Sequence, residues 1–143
     1  MNQITTLTFF KFKNNKFWAL KQMGLAQNKL KEVKYLEFYK FLGTGGGQGF
    51  SLWPDFSMYA FLGVWKNRDA YKKCFDSCNI FLEYKERAYF QRDLELITTK
   101  SHGFWNGINP FKSQKFELNN ANKKKAVVLT RATVNWNRLF QFW

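Results

Sequence analysis

Residues 58 to 65, MYAFLGVW, carry no charge anywhere along their length. Read as a strand, they place Met58, Ala60, Leu62 and Val64 on one face and Tyr59, Phe61 and Trp65 on the other. Both faces are apolar. Such a strand belongs in a sheet covered on both sides, so the rest of the chain, or a partner, has to supply two covers.

The flanking sequence supplies one of them. Residues 4 to 12, ITTLTFFKF, are β-branched and aromatic and read as a strand. Asn14 and Asn15 offer a cap for a helix from Lys16 to about Leu30, in which Ala19, Leu20, Met23, Ala26 and Leu30 recur at helical spacing. A second strand, 36 to 42, runs into GTGGGQG, where five of the nine glycines are gathered. After the third strand, Asn67 or Asp69 caps a helix running through DAYKKCFDSCNIFLEYKERA, with Tyr71, Cys74, Phe75, Cys78, Phe81 and Leu82 on one face. A fourth strand follows over about 89 to 99. The order strand, helix, strand, strand, helix, strand is the α+β, ferredoxin-like βαββαβ arrangement, an antiparallel sheet with both helices on one face. The second face is left for another copy of the domain, a flat ligand or a stacked base.

This domain takes residues 1–102. Residues 103–126, with Gly103, Gly107, Pro110 and the run Lys123 to Lys125, read as a connecting segment. A new pattern begins at 127. AVVLTRATV reads as a strand, Asn135 as a cap and WNRLFQFW as a helix start, and the passage parallels LTFFKFKNNKFWALKQM near the beginning. Residues 127–143 are therefore expected to open a truncated second ferredoxin-like repeat, which would leave the chain incomplete or self-associating through Trp136, Leu139, Phe140 and Trp143.

A length of 143 residues fits one domain plus a fragment. The net charge of +13 implies an attraction to something anionic, although 18 lysines against 5 arginines point partly to general base composition. No stretch reaches the roughly 18 uncharged apolar residues of a membrane span. The start also meets Lys11 too early for a secretory signal, so a cytoplasmic protein is expected.

Few motifs carry chemistry. The glycine cluster lacks a following Lys-Ser or Lys-Thr, has Gln48 where a dinucleotide loop needs glycine, and leads to Trp53-Pro54 rather than into a helix. It reads as a hairpin connection. The third strand lacks the Arg/Lys-Gly-Phe-Gly-Phe signature of ribonucleoprotein sheets, so nucleic acid is disfavoured and a basic single-strand-binding module stays only as an alternative. Cys74 and Cys78, one helical turn apart, suit two reduced, buried hydrophobes better than a thiolate pair for metal. His102, the single histidine, lies beside Phe104 and Trp105. It is either a surface residue or a haem ligand flanked by rings.

The segments LTFFKFKNNKFWALKQMGLAQNKL, FYKFLGTGGGQGFSLWPDFSMYAFLGVW, SHGFWNGINPF and AVVLTRATVNWNRLFQFW together resemble the spheroidene monooxygenase family. The glycine loop leading through F-x-x-x-P into a strand, and the string G-x-W-x-G-x-x-P-F, are the specific parts. The resemblance implies a haem-dependent oxygenase that gives a carotenoid a keto group. It also implies ferredoxin-like halves of the dimeric α/β-barrel type and electrons from a reduced ferredoxin or similar donor. Carried onto this chain, it makes His102 the histidine for an axial position and Trp53, Tyr59 and Trp105 pocket walls, with Arg92 or Arg131 as partners for propionates. Tyr59, Phe61 and Trp65 would line a channel for an apolar polyene, and the basic surface would give peripheral contact with anionic lipid. Family members are longer, so a homo-oligomer or completion by a second half is implied.

Overall fold

The computed structural model describes residues 2–46, 53–115 and 126–130. Strand β1 (Ile4–Lys11) leads into helix α1 (Lys16–Leu30). There follow β2 (Leu36–Gly45), β3 (Pro54–Trp65), α2 (Arg68–Ser77), α3 (Asn79–Arg87) and β4 (Phe90–Leu96). The strands make one antiparallel sheet in the order β2-β3-β1-β4. This is the ferredoxin-like topology, and β3 lies inside the sheet as its two apolar faces require.

Helix α1 keeps the bounds read from the sequence and turns Ala19, Gln22, Ala26 and Leu30 inward. The two alanines let the helix lie close to the sheet. Leu20, counted among the apolar positions, is exposed instead. Asn15 precedes α1 but makes no capping bond with its side chain, whereas the Asn67 side chain accepts a bond from the Ala70 amide at 2.8 Å and starts α2.

Three expectations are corrected here. The single helix over 69 to 88 is two helices, because Cys78 is extended (φ −77, ψ 124) between α2 and α3. The break loses little hydrogen bonding: the Cys78 amide donates to Cys74 O, and Cys78 O accepts from Phe81 and Leu82. It turns Ile80, Phe81 and Tyr84 toward the sheet, while Leu82 stays exposed. Burying two large rings outweighs the straight stripe. The third strand also begins earlier than expected, at Pro54. A proline is tolerated as the first residue of a strand, and Pro54 there pairs with Gly45.

The third correction concerns direction. Tyr59, Phe61 and Trp65 lie under the helices in the main core and are sealed from solvent, so they do not line a channel on the second face. Phe61 packs between Phe81 (ring centroids 4.9 Å) and Phe41 (5.1 Å). The Trp65 indole N–H donates to the Thr6 hydroxyl at 2.9 Å. Between these rings stands Gly63, whose missing Cβ leaves the space both rings fill.

Cys74 is buried and Cys78 half-buried, both as free thiols with their sulfurs in contact. Burial, then the Cys78 thiol beside it, pushes the Cys74 thiol far above the ordinary range. Alkylation of the native protein, followed by mass spectrometry, is expected to modify Cys78 first and Cys74 only on unfolding. Equal rapid labelling of both would contradict this packing.

The second face carries Leu7, Phe38, Leu42, Leu62 and Val64, and its cover is in part the chain itself. Trp105 and Phe111, from the segment after β4, pack on this cluster. The described part of the connecting segment, residues 103–115, is thus a strap folded back on the sheet. Its tip is the two-residue turn Asn106-Gly107, both at positive φ (55 and 81), between the paired Trp105 and Ile108. Gln3 clasps the far end of the strap. Its side chain donates to Pro110 O (3.0 Å) and accepts from the Lys112 amide (2.8 Å), and its backbone carbonyl accepts from the Gln114 side chain (2.6 Å).

Glu37 adds an ionic tie, accepting from Gln3 (2.5 Å) and pairing with Lys112 (3.1 Å). Burial alone would raise its carboxyl, but bonds from Gln3 and Lys112 and the nearby lysine charges hold it below the ordinary range. A carboxylate lowered in the folded state stabilises above its unfolded pKa and loses that contribution as pH falls through the folded value. Acidification below about pH 4 should therefore loosen the strap before the sheet. Faster hydrogen exchange at the Lys112 and Gln114 amides, with unchanged exchange in β3, is the expected record.

Residues 126–130 form no strand, and residues 131–143, where the rest of the expected second repeat falls, lie outside the described residues. Among the described residues no helix is long and apolar enough to cross a membrane.

Candidate functional site

The residues singled out in the sequence do not converge. His102 is exposed on the strap, at the end of the sheet where β4 finishes. Trp105, three residues on, is half-buried with its ring on Phe38 (5.5 Å). Arg92 is exposed on β4 opposite Phe9. Tyr59 is 2% exposed beneath the helices, and Trp53, just before β3, is 81% exposed. From Trp53 to Val64, the residue opposite Phe38, a strand rises about 35 Å, so Trp53 and Trp105 cannot wall one flat ligand. Only His102 and Trp105 share a neighbourhood.

Haem therefore finds no cradle among the described residues: the imidazole stands in solvent, the nearest Trp105 ring is taken up by Phe38, and the other three residues lie elsewhere.

The structure instead draws attention to the layer between the sheet and the helices. The hydroxyls of Tyr59 and Tyr84 and the carbonyl oxygen of the Gln22 side chain are buried with no hydrogen-bond partner among the described residues. Buried polar atoms are seldom left so. Phe12 joins the two phenols, with its ring 6.1 Å from Tyr59 and 5.8 Å from Tyr84. Trp18 closes on Tyr84 at 5.1 Å, and the Arg87 guanidinium caps Trp18 at 4.8 Å. Burial, then Tyr59 and Glu83, hold the Tyr84 phenol far above its ordinary range; burial and Asp55 raise that of Tyr59. Both phenols keep their protons at neutral pH and are donors.

An open groove of about 260 Å³ runs along the edge of β2, lined by Gln27, Lys31, Glu37 and Lys40 as well as by Leu30, Tyr39 and Phe41. Tyr39 is fixed there by donating its hydroxyl to Gln27 O at 2.7 Å. Phe41 is the back wall, and behind it stacks Tyr84 (5.7 Å, 21°). The groove itself is open and mixed in character, with Lys31, Glu37 and Lys40 beside its rings, whereas the sealed layer behind it holds two phenol donors able to bind an oxygen atom. Neither this groove nor a second one, near Ile97 and Arg68, is lined by His102 or Trp105.

Sequence reasoning missed Tyr84 and Gln22. A signal for Tyr84 was there, since Ile80, Phe81 and Tyr84 make a stripe as good as one through Cys78 and Leu82. Gln22 gave none, because a glutamine on a helix is ordinarily exposed.

No family model matches the chain. Among curated proteins it is 27% identical over 143 residues to the spheroidene monooxygenase of Cereibacter sphaeroides, covering 99% of this chain and 43% of that protein. It is 24% identical over 142 residues to the spheroidene monooxygenase of Rhodobacter capsulatus, covering 98% of this chain and 58% of that protein. The chain thus spans about half the length of the curated relatives it matches. Among solved structures, SnoaB, a cofactor-independent oxygenase from Streptomyces nogalater, superposes with a TM-score of 0.52 at 10% identity, covering 71% of this chain and 97% of that one. That likeness is one of fold. The resemblance carried by the four sequence segments holds across nearly the whole chain, which is similar to the spheroidene monooxygenases.

Proposed function

We propose that the chain is part of a monooxygenase acting on a carotenoid or a similar apolar polyene and giving it a keto group. The observation that carries this is the similarity to two spheroidene monooxygenases over 98–99% of the chain. The buried phenols of Tyr59 and Tyr84 support it, since a product oxygen asks for a donor. Each turnover takes one O₂, two electrons and two protons, and leaves one oxygen atom on the substrate and the other in water. Two turnovers at one methylene, with loss of water, give the ketone.

A reduced ferredoxin or similar donor would supply the electrons. Haem, if bound, supplies the activation of O₂, and His102 is the one imidazole this chain can offer it. A second copy, or the further half that the longer relatives have, would then complete its surroundings. In this reading Tyr84 and Tyr59 orient the oxygen by hydrogen bonds, and the rings of Phe12, Trp18 and Phe41 exclude water.

The test is to supply the purified chain with haem, a reduced ferredoxin and a carotenoid in detergent, recording the absorption spectrum and the product. A keto product is expected, and where a second copy or the further half completes the surroundings of haem, the haem band should shift in His102→Ala. Tyr84→Phe should lower kcat/KM about tenfold by removing one hydrogen bond, while leaving thermal stability unchanged or raised because that hydroxyl has no partner to lose. No oxidation with haem and donor present, and none without haem, would overturn the proposal.

A further inference from the structure

The end of the sheet farthest from the strap carries a surface that the oxygenase reading does not use. Five of the seven exposed aromatic side chains among the described residues lie there: Phe17, Trp53, Phe56, Tyr89 and Phe90. The backbone gathers them. Lys11 at the end of β1 is paired with both Met58 and Phe90, the Phe12 amide donates to Ser57 O, and the Tyr89 amide donates to Lys11 O. Phe17 is in the first turn of α1, which leaves from this end, and is 80% exposed.

The same segments, 11–17, 53–57 and 88–92, hold Lys11, Lys13, Lys16 and Arg92 against one acid, Asp55. That carboxylate is already engaged by the Ser57 amide (2.8 Å) and hydroxyl (2.5 Å). Lys11 and Lys16 act on Asp55 only at a distance, and none of the three lysines forms a salt bridge among the described residues. Exposed rings among such lysines match the interface of an anionic bilayer, where rings sit at headgroup depth and lysines meet phosphates. A protein partner of ordinary composition would match the rings but not the excess of positive charge.

We propose that this end of the sheet is a docking surface for anionic lipid, with the phenyl and indole rings entering the headgroup layer. The contact deepens the oxygenase reading by bringing the chain to the phase in which a polyene dissolves, and its use in catalysis rests on that reading; the contact itself rests on the surface alone.

The test is co-sedimentation of the chain with vesicles of phosphatidylcholine alone and of equal parts phosphatidylcholine and phosphatidylglycerol. Binding is expected to the second only, weakening as salt is raised. Replacing Lys13 and Lys16 by glutamine should weaken it about fivefold per lysine. The same change at Lys31 and Lys34, beyond the far end of α1, should leave it intact. Phe17→Ser with Phe56→Ser should abolish it with an unchanged circular dichroism spectrum.

Equal loss from both lysine pairs, or no binding to either vesicle, overturns the proposal. So does self-association that the phenylalanine changes remove while vesicles are ignored, which would make this end a contact between copies. Binding of a single-stranded oligonucleotide instead of vesicles, lost with Lys13 and Lys16, overturns it too. Oxidation measured in detergent separates the two claims: vesicle binding without oxidation leaves this surface standing and removes the oxygenase reading, and oxidation without vesicle binding does the reverse.

Discussion

Replacing Phe61 by alanine is expected to destabilise the protein by about 3–5 kcal/mol, the largest effect of any single change at a position described here. Phe61 is fully buried on β3 and its ring meets those of Tyr39, Phe41, Trp65, Phe75 and Phe81. Those neighbours come from β2, β3, α2 and α3 and are held by backbone hydrogen bonds, so they cannot all close on the gap. The cavity persists and adds to the lost transfer energy. Urea unfolding should show a lower midpoint at an unchanged slope. A loss under about 1 kcal/mol would mean that the helix layer collapses freely onto the sheet.

Gly63→Ala is the second large effect and works by the opposite route. An added Cβ would stand 2.6 Å from Trp65 Nε1, 2.8 Å from Phe61 Cε1 and 3.0 Å from Trp65 Cε2. The indole cannot retreat, since it is bonded to Thr6 and packed against Tyr71 (5.7 Å) and Phe75 (6.3 Å). Overpacking costs about 1–3 kcal/mol. Pulling the indole from Thr6 leaves a buried donor and acceptor unmatched for about 1–3 kcal/mol more. Because Phe61 supplies one of the three clashes, the double substitution with Phe61→Ala should cost less than the sum of the two. Strict additivity in that cycle, or a Gly63→Ala protein as stable as the parent, would contradict the packing.

Local pattern was legible where one period ruled and failed where two surfaces competed. Helix α1 could be bounded because Ala19, Ala26 and Leu30 recur at helical spacing and its flanks are turn-like. The break at Cys78 could not, since Tyr71, Cys74, Phe75, Cys78 and Phe81 satisfy a continuous helix, and only the sheet below decides that Ile80 and Tyr84 should face it. Alternation sorted β3 correctly into two sets, but with both sets apolar nothing in it told which lay under the helices. That ambiguity sent Tyr59 to the wrong face.

The strap was hidden for a different reason. Glycine, proline and asparagine mark it as irregular, and its anchor, Gln3, is 107 residues from Pro110 in sequence. A bond across that span leaves no local trace. The site was least legible: His102, Trp53 and Arg92 came together through the resemblance and lie apart on the described fold, whereas the buried phenols of Tyr59 and Tyr84 depend on β3 and α3 meeting.

The position of β1 sets an order of events during synthesis. It is made before the other three strands of the sheet, yet it lies between β3 and β4, and its partners are residues 58–65 and 90–96. At about 5–20 residues per second the ribosome leaves it unpaired for several seconds before either partner has emerged. A nascent chain halted between the two would show β1 as a bare edge beside β3, its unpaired backbone N–H and C=O groups open to strand addition by a neighbouring chain. Thr5, Thr6 and Thr8 lower the apolar density of that edge while it waits.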